Sequence, residues 1–87
     1  MTKPFVFVVE DDPILSEIVT STLQDDFELE SVMDGDEALK RIRESTPNIV
    51  VLDLNLPGTS GADLLTYIRA DQRLTKTRVI LAATDER

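Results

Sequence analysis

Glu10 and Asp11 follow the apolar run Phe5–Val9, while Asp53 and Asn55 flank Leu54 just after the apolar run Ile49–Leu52. Oxygen-bearing side chains at the ends of two apolar runs point to one kind of chemistry. If the runs are neighbouring parallel strands, their carboxyl ends open on a shared crevice, where open α/β sheets bind ligands. Three carboxylates gathered there repel one another, and a hard divalent cation held by oxygen is the simplest offset. Magnesium suits such a site best, because it binds through few carboxylates and keeps waters that exchange for phosphate oxygens. A carboxylate beside that cation can attack phosphorus and form an aspartyl phosphate. Asp53 is then the acceptor, and Glu10 and Asp11 hold the metal. The plainer reading makes Glu10-Asp11-Asp12 solvated loop acids, since strand ends are polar everywhere. Asp53 fits that reading less well: it follows four apolar residues and precedes Leu54, which places it at the rim of a core.

The elements that must position these groups are legible from hydrophobic periodicity. Phe5–Val9 is continuously apolar, as expected of a strand buried on both faces. Ile14, Leu15, Ile18, Val19 and Leu23 form a helical stripe, with Asp12 as N-cap and Pro13 at the first helical position. Residues 27–32 alternate apolar and polar and read as a strand near a sheet edge. Asp34-Gly35 reads as a turn, and Ala38, Leu39 and Ile42 mark a short helix ending before Thr46-Pro47. Ile49–Leu52 is the best candidate for a central strand. A loop then runs from Asp53 to Gly61, followed by a helix bearing Leu64, Leu65 and Ile68. Residues 72–78 read as loop, and residues 79–82 as a fourth strand. Leu15-Ile18-Val19, Leu39-Ile42 and Leu64-Leu65-Ile68 are expected to be core faces. The charged segment Glu37, Lys40, Arg41, Arg43 and Glu44 is expected to be a solvated helix face with local ion pairs, and Tyr67 a helix-surface residue. The order βαβαβαβ implies a parallel sheet with right-handed crossovers, and strand order 2-1-3-4 would bring the first and third strands together.

Composition narrows the field. With 87 residues the chain suits one domain. It contains no Cys and no His, which removes disulfides, thiolate chemistry, the usual zinc sites and His-based triads. Seventeen acids against nine bases leave a net charge of -8, which disfavours nucleic acid or an anionic membrane as direct partners. The apolar stretch near the start is too short for a signal peptide or a membrane span, so the expected location is cytoplasmic.

Other oxygen-ligand motifs fail on chemistry. Asp53, Asn55, Pro57 and Gly58 match early positions of an EF-hand loop, but Leu64 stands where a bidentate Glu is required. An aspartate-based phosphatase needs an acid two residues after its nucleophile, and Asn55 cannot fill that role. A nucleotide-binding turn after the first strand would be glycine-rich, unlike Glu10-Asp11-Asp12-Pro13.

Three blocks, taken together, resemble the receiver domain of two-component response regulators. They are Val8-Val9-Glu10-Asp11-Asp12-Pro13, then residues 34–39 (Asp-Gly-Asp-Glu-Ala-Leu), then residues 47–61 with Asp53, Pro57 and Gly61 in the family's spacing. The resemblance implies an α/β, flavodoxin-like, three-layer doubly wound sheet over residues 1–87, with the family's fifth strand and last two helices absent from this chain. It implies Asp53 as phosphoacceptor and Glu10 and Asp11 as the acidic pocket for Mg2+, or Mn2+ in its place. Asn55 would offer its backbone carbonyl to the metal, and Pro57 and Gly61 would shape the loop. Phosphate would come from a sensor histidine kinase or a phosphotransfer protein. The role is that of a signalling phosphoacceptor rather than an enzyme, though the domain would promote its own Mg2+-dependent phosphorylation and dephosphorylation.

Two departures accompany the resemblance. The family's switch hydroxyl, at the end of the fourth strand, falls on Ala83, with Thr84 one place later. No Lys here takes the family's phosphate-pairing role, since Lys3, Lys40 and Lys76 stand elsewhere. With the last third absent, Val79, Ile80 and Leu81 would form an open apolar edge. A remainder of the same chain is the expected cover; a homodimer through that edge, or another chain, would also serve. The competing functional reading is a degenerate receiver-like interaction module without phosphorylation-driven switching. The intact Glu10, Asp11 and Asp53 set argues against it.

Overall fold

A computed structural model describes residues 3–82; Ala83 and Thr84, and with them the expected switch position, lie outside the described residues. The elements follow the expected order: β1 (Phe5–Val9), α1 (Pro13–Leu23), β2 (Glu28–Val32), α2 (Gly35–Glu44), β3 (Ile49–Leu52), α3 (Gly61–Ala70), a single 3-10 turn (Gln72–Leu74) and β4 (Arg78–Leu81). Each helix begins at a residue whose side-chain oxygen accepts from the first turn. Asp12 accepts from Ile14 N–H, Asp34 from Glu37 N–H and Ser60 from Asp63 N–H. Such caps satisfy donors that the helix itself leaves unpaired. Asp34-Gly35 is thus the start of α2 rather than a separate turn.

All pairings are parallel, and the sheet order is β2-β1-β3-β4. Consecutive strand residues face opposite sides. Phe7, Val9, Val50 and Leu52 face α2 and α3, joining Val32, Ala38, Ile42, Leu64, Ile68 and Leu74 in one core. Val6 and Val8 are buried on the other side, where α1 packs on β1 and β2. Helices on both faces of one sheet make the three-layer, flavodoxin-like architecture. Among the described residues, no helix is long and apolar enough to cross a membrane.

Four further expectations are corrected. The α1 stripe is not a single core face: Ile14 is 70% and Ile18 55% exposed, while Leu15, Val19 and Leu23 are half-buried and Ser16 is buried. Leu15, Val19 and Leu23 recur every four residues and share one side of the helix. Ile14 and Ile18 form the adjacent column, about 100° round, and turn off the sheet. Residues 72–78 are not plain loop. They contain the 3-10 turn, with Leu74 fully buried and Thr77 Oγ1 donating to Pro47 O at 2.7 Å. Arg41 is more than part of a local ion-pair ladder. It pairs with Glu44 at 2.9 Å but also forks onto Glu30 of β2, which ties α2 to the sheet edge. Tyr67 is half-buried, donates to Asp71 Oδ2 at 3.1 Å and lies under the Arg43 guanidinium. At the far side of the sheet, Ile80 and Leu81 of β4 are 53% and 47% exposed among the described residues, while Val79, also expected at the open edge, is half-buried against the core.

Candidate metal centre

β1 and β3 are neighbours, and their ladder runs to its end at Val9 opposite Leu52. The next step of the ladder carries the chemistry. Asp53 N–H donates to Val9 O at 2.9 Å, and Glu10 N–H donates to Val32 O at 3.1 Å. Both acids are therefore held by the backbone of the sheet rather than by a loop. Glu10 is 5% and Asp53 2% exposed. Asp11 is exposed at the mouth, and one carboxylate oxygen from each of Glu10, Asp11 and Asp53 lies within 4.8 Å of the others. The description of Glu10 as a solvated loop acid is thereby overturned.

The third acid of the run does different work. Asp12 turns away to cap α1, and its N–H donates to Glu10 Oε2 at 3.2 Å. That bond lowers the Glu10 pKa, but burial outweighs it, and Asp53 and Asp11 add repulsion. The Glu10 carboxyl is pushed up to about 7. Asp53 is oriented from its own loop: Asn55 N–H donates to Asp53 Oδ1 at 2.9 Å. The Asn55 side chain is exposed.

The loop after Asp53 folds back tightly. Gly61 N–H donates to Leu54 O at 3.3 Å as α3 begins. A methyl group at Gly61 would stand 2.5 Å from Leu54 Cα and overlap the Asp53 carbonyl, so the helix can start against β3 only without a side chain there. Pro57 leads into Gly58, whose φ of +76° lies in the left-handed region that glycine enters without strain. Pro57 O accepts from Gly35 N–H at 2.9 Å, and Asp36 Oδ1 accepts from Thr59 N–H and Oγ1 at 3.0 and 2.7 Å. These α2 contacts were not visible in the sequence, where Gly35 and Asp36 stood only as part of a motif.

The donor set fits a hard divalent cation. All ligand atoms are oxygen, two of the three carboxylates are buried and one opens to solvent. Among the described residues, no Lys or Arg forms an ion pair with any of them; the cations that do pair are Arg41 and Arg73, on Glu30, Glu44 and Asp71. A cation with room for exchangeable waters balances that charge.

Comparison with known proteins agrees with the fold. A family model described as the response regulator receiver domain matches residues 6–87, and the chain belongs to that family. It is 43% identical over 67 residues to the DNA-binding response regulator MtrA of Mycolicibacterium smegmatis, covering 76% of this chain and 29% of that protein. The chain thus spans about three tenths of the length of that relative. Among solved structures it resembles the phosphorylated cyanobacterial phytochrome response regulator RcpA, with a TM-score of 0.90 and 28% identity over 99% of this chain and 69% of that one. It also resembles the Mn2+-bound form of response regulator Rcp1, with a TM-score of 0.86 and 28% identity over 97% of this chain and 68% of that one. Proteins of this family are signalling modules that meet histidine kinases or phosphotransfer proteins, and they bind Mg2+ in an acidic pocket.

Proposed function

We propose that this receiver domain takes a phosphoryl group on Asp53 from the phosphohistidine of a sensor kinase or phosphotransfer protein. The observation that carries the proposal is the convergence of Glu10, Asp11 and Asp53, with Asp53 buried at the end of a central strand. Glu10, Asp11, Asp53 and the backbone carbonyl of Asn55 would hold Mg2+ or Mn2+. When bound, the cation supplies neutralisation of the phosphoryl oxygens and of the crowded carboxylates. Asn55 N–H donates to Asp53 Oδ1, which orients the carboxylate for attack through an oxygen. A new bond forms from that oxygen to phosphorus as the phosphorus–nitrogen bond to the donor imidazole breaks, and the imidazole keeps the bonding electron pair. Glu10, held beside Asp53 by the β1 backbone, keeps the site acidic and selective for the cation. Gly61 lets α3 start against β3, and Pro57 ties the loop to α2. The phosphorylated state of RcpA and the Mn2+-bound state of Rcp1 support both halves of the proposal by likeness.

Intact mass spectrometry before and after incubation with Mg2+ and a small acyl phosphate tests it. One added phosphoryl group, dependent on Mg2+ and lost in Asp53→Asn, is expected. No gain in the wild type, or persistent gain in Asp53→Asn, would refute Asp53 as acceptor, and the former would favour a pure interaction module.

A further inference from the structure

We infer that the first turn of α2 is a brace for the acceptor loop, with Asp36 acting as a positioning residue for Asp53. The inference rests on the phosphoacceptor assignment above and adds to it a residue that touches neither metal nor phosphate. Two independent contacts define the brace. Gly35 N–H donates to Pro57 O at 2.9 Å, and a methyl at Gly35 would stand 2.5 Å from the Thr59 carbonyl carbon. One residue on, Asp36 Oδ1 accepts both the N–H and the hydroxyl of Thr59 at 3.0 and 2.7 Å. A methyl at Gly58 would meet the Asp36 carboxylate at 2.9 Å, so α2 and the loop are packed as well as bonded.

Besides the brace, the loop is anchored by Leu56, which is half-buried against the core, and at its two ends. It is tied to β3 at Asp53, and at its far end Gly61 N–H bonds to Leu54 O at a long 3.3 Å. Between those ends, Asn55 and residues 57–58 are exposed. Asn55 N–H orients the Asp53 carboxylate from within this segment. Releasing Thr59 therefore loosens the outer half of the loop, next to the segment that aims the nucleophile, while the helix N-cap made by Asp34 stays intact. Groups that orient a reacting or ligating side chain from behind it affect rate and metal affinity without touching substrate.

The test separates the hydrogen bond from the charge. Asp36→Asn removes the charge but keeps an acceptor for Thr59; Asp36→Ala removes both. In the full-length chain, two quantities are measured: hydrogen exchange at the Asn55 amide, and the Mg2+-dependent rate of phosphoryl uptake from a small acyl phosphate. Asp36→Ala is expected to speed Asn55 exchange and slow uptake, each by about tenfold. Asp36→Asn is expected to stay within about twofold of wild type. Gly35→Ala, whose added methyl pushes directly on Thr59, is expected to behave like Asp36→Ala with α2 still helical by circular dichroism.

Equal impairment in Asp36→Asn and Asp36→Ala would assign the effect to charge and overturn the brace. Unchanged exchange and uptake in Asp36→Ala would overturn it as well. If the wild type takes up no phosphoryl group, the phosphoacceptor assignment fails, and the Asn55 amide alone then decides the brace.

Discussion

Glu10 and Asp53 meet side by side across the seam between β1 and β3, both buried, with ligand oxygens no more than 4.8 Å apart. The backbone enforces the meeting, because Asp53 N–H bonds to the carbonyl of Val9, the residue just before Glu10. The pair stores a demand for positive charge, and the following expectations come from that demand and from the contacts around it.

Metal-free stability should fall as pH rises. Burial, then the neighbouring Asp53 and Asp11, raise the Glu10 carboxyl from 4.5 to about 7 in the folded chain. Between those values the folded state binds more protons than the unfolded state, so stability is highest below about 4.5 and is lost up to about 7. The loss should approach about 3 kcal/mol. Thermal melts in chelator from pH 4.5 to 8 should show the decline, and saturating Mg2+ should flatten it. A metal-free melting temperature that climbs with pH across this window would contradict the buried, crowded Glu10.

Asp11→Asn should have opposite effects with and without metal. Removing one of three clustered charges relieves repulsion, so the metal-free variant should melt higher than metal-free wild type, by about 1 kcal/mol equivalent. Its Mg2+ affinity should drop, since the open ligand of the set has lost its charge. Calorimetric titration with Mg2+, beside melts in chelator, measures both. A lower melting temperature for the metal-free variant would rule out crowding as the source of the demand.

Gly61→Ala should disturb fold and site together. The new methyl would press on Leu54 Cα and the Asp53 carbonyl, both backbone atoms that can yield only by moving β3 or α3. Overpacking of this kind costs about 1–3 kcal/mol. Denaturant unfolding should register that loss, and phosphoryl uptake should fall with it, because the displaced residue is the acceptor itself. Wild-type stability in this variant would mean that α3 can start elsewhere.

Arg73→Ala should destabilise the domain and leave the chemistry alone. Arg73 is the middle residue of the 3-10 turn and donates to Ile42 O at 2.7 Å, and also to Ser45 O and Thr46 Oγ1, satisfying carbonyls at the end of α2. Losing a charged donor to partly buried carbonyls costs about 1–2 kcal/mol. Lys in its place should recover little, since an ammonium cannot fork across several acceptors. Urea midpoints for the two variants, with uptake rates at wild-type level, are the expected pattern. A fall in uptake would show that this end of α2 communicates with the site.

Much of this architecture was legible in the residues because it depends on local pattern. Apolar runs mark β1 and β3, Asp12-Pro13 marks the start of α1, and Pro47 bounds α2 from beyond its end. What failed were readings that needed a neighbour. The α1 stripe holds two adjacent apolar columns, and only the sheet beneath decides that Leu15, Val19 and Leu23 face it while Ile14 and Ile18 do not. Arg41 looked like a partner for its own helix until β2 brought Glu30 beside it. Leu74 looked like a loop residue because a single helical turn has too few residues to show a period. The link from Asp36 to Thr59 joins two polar segments that carry no hydrophobic signal at all.

The candidate site divides in the same way. By itself the sequence determined which side chains stand at strand ends, because strand length and the polar residue that stops each strand are local properties. It also determined their chemistry, since oxygen donors with no His or Cys leave hard cations as the fitting ligands. Only the tertiary structure decided that these acids act as one group. Placing β1 between β2 and β3 is a matter of sheet order and crossover, settled by packing helices on both faces. From that order follow the burial of Glu10 and Asp53, the raised pKa of Glu10 and the crowding that a cation relieves. Carboxylates far apart in the chain become a site only when backbone hydrogen bonds hold them together where burial leaves most of their charge poorly screened.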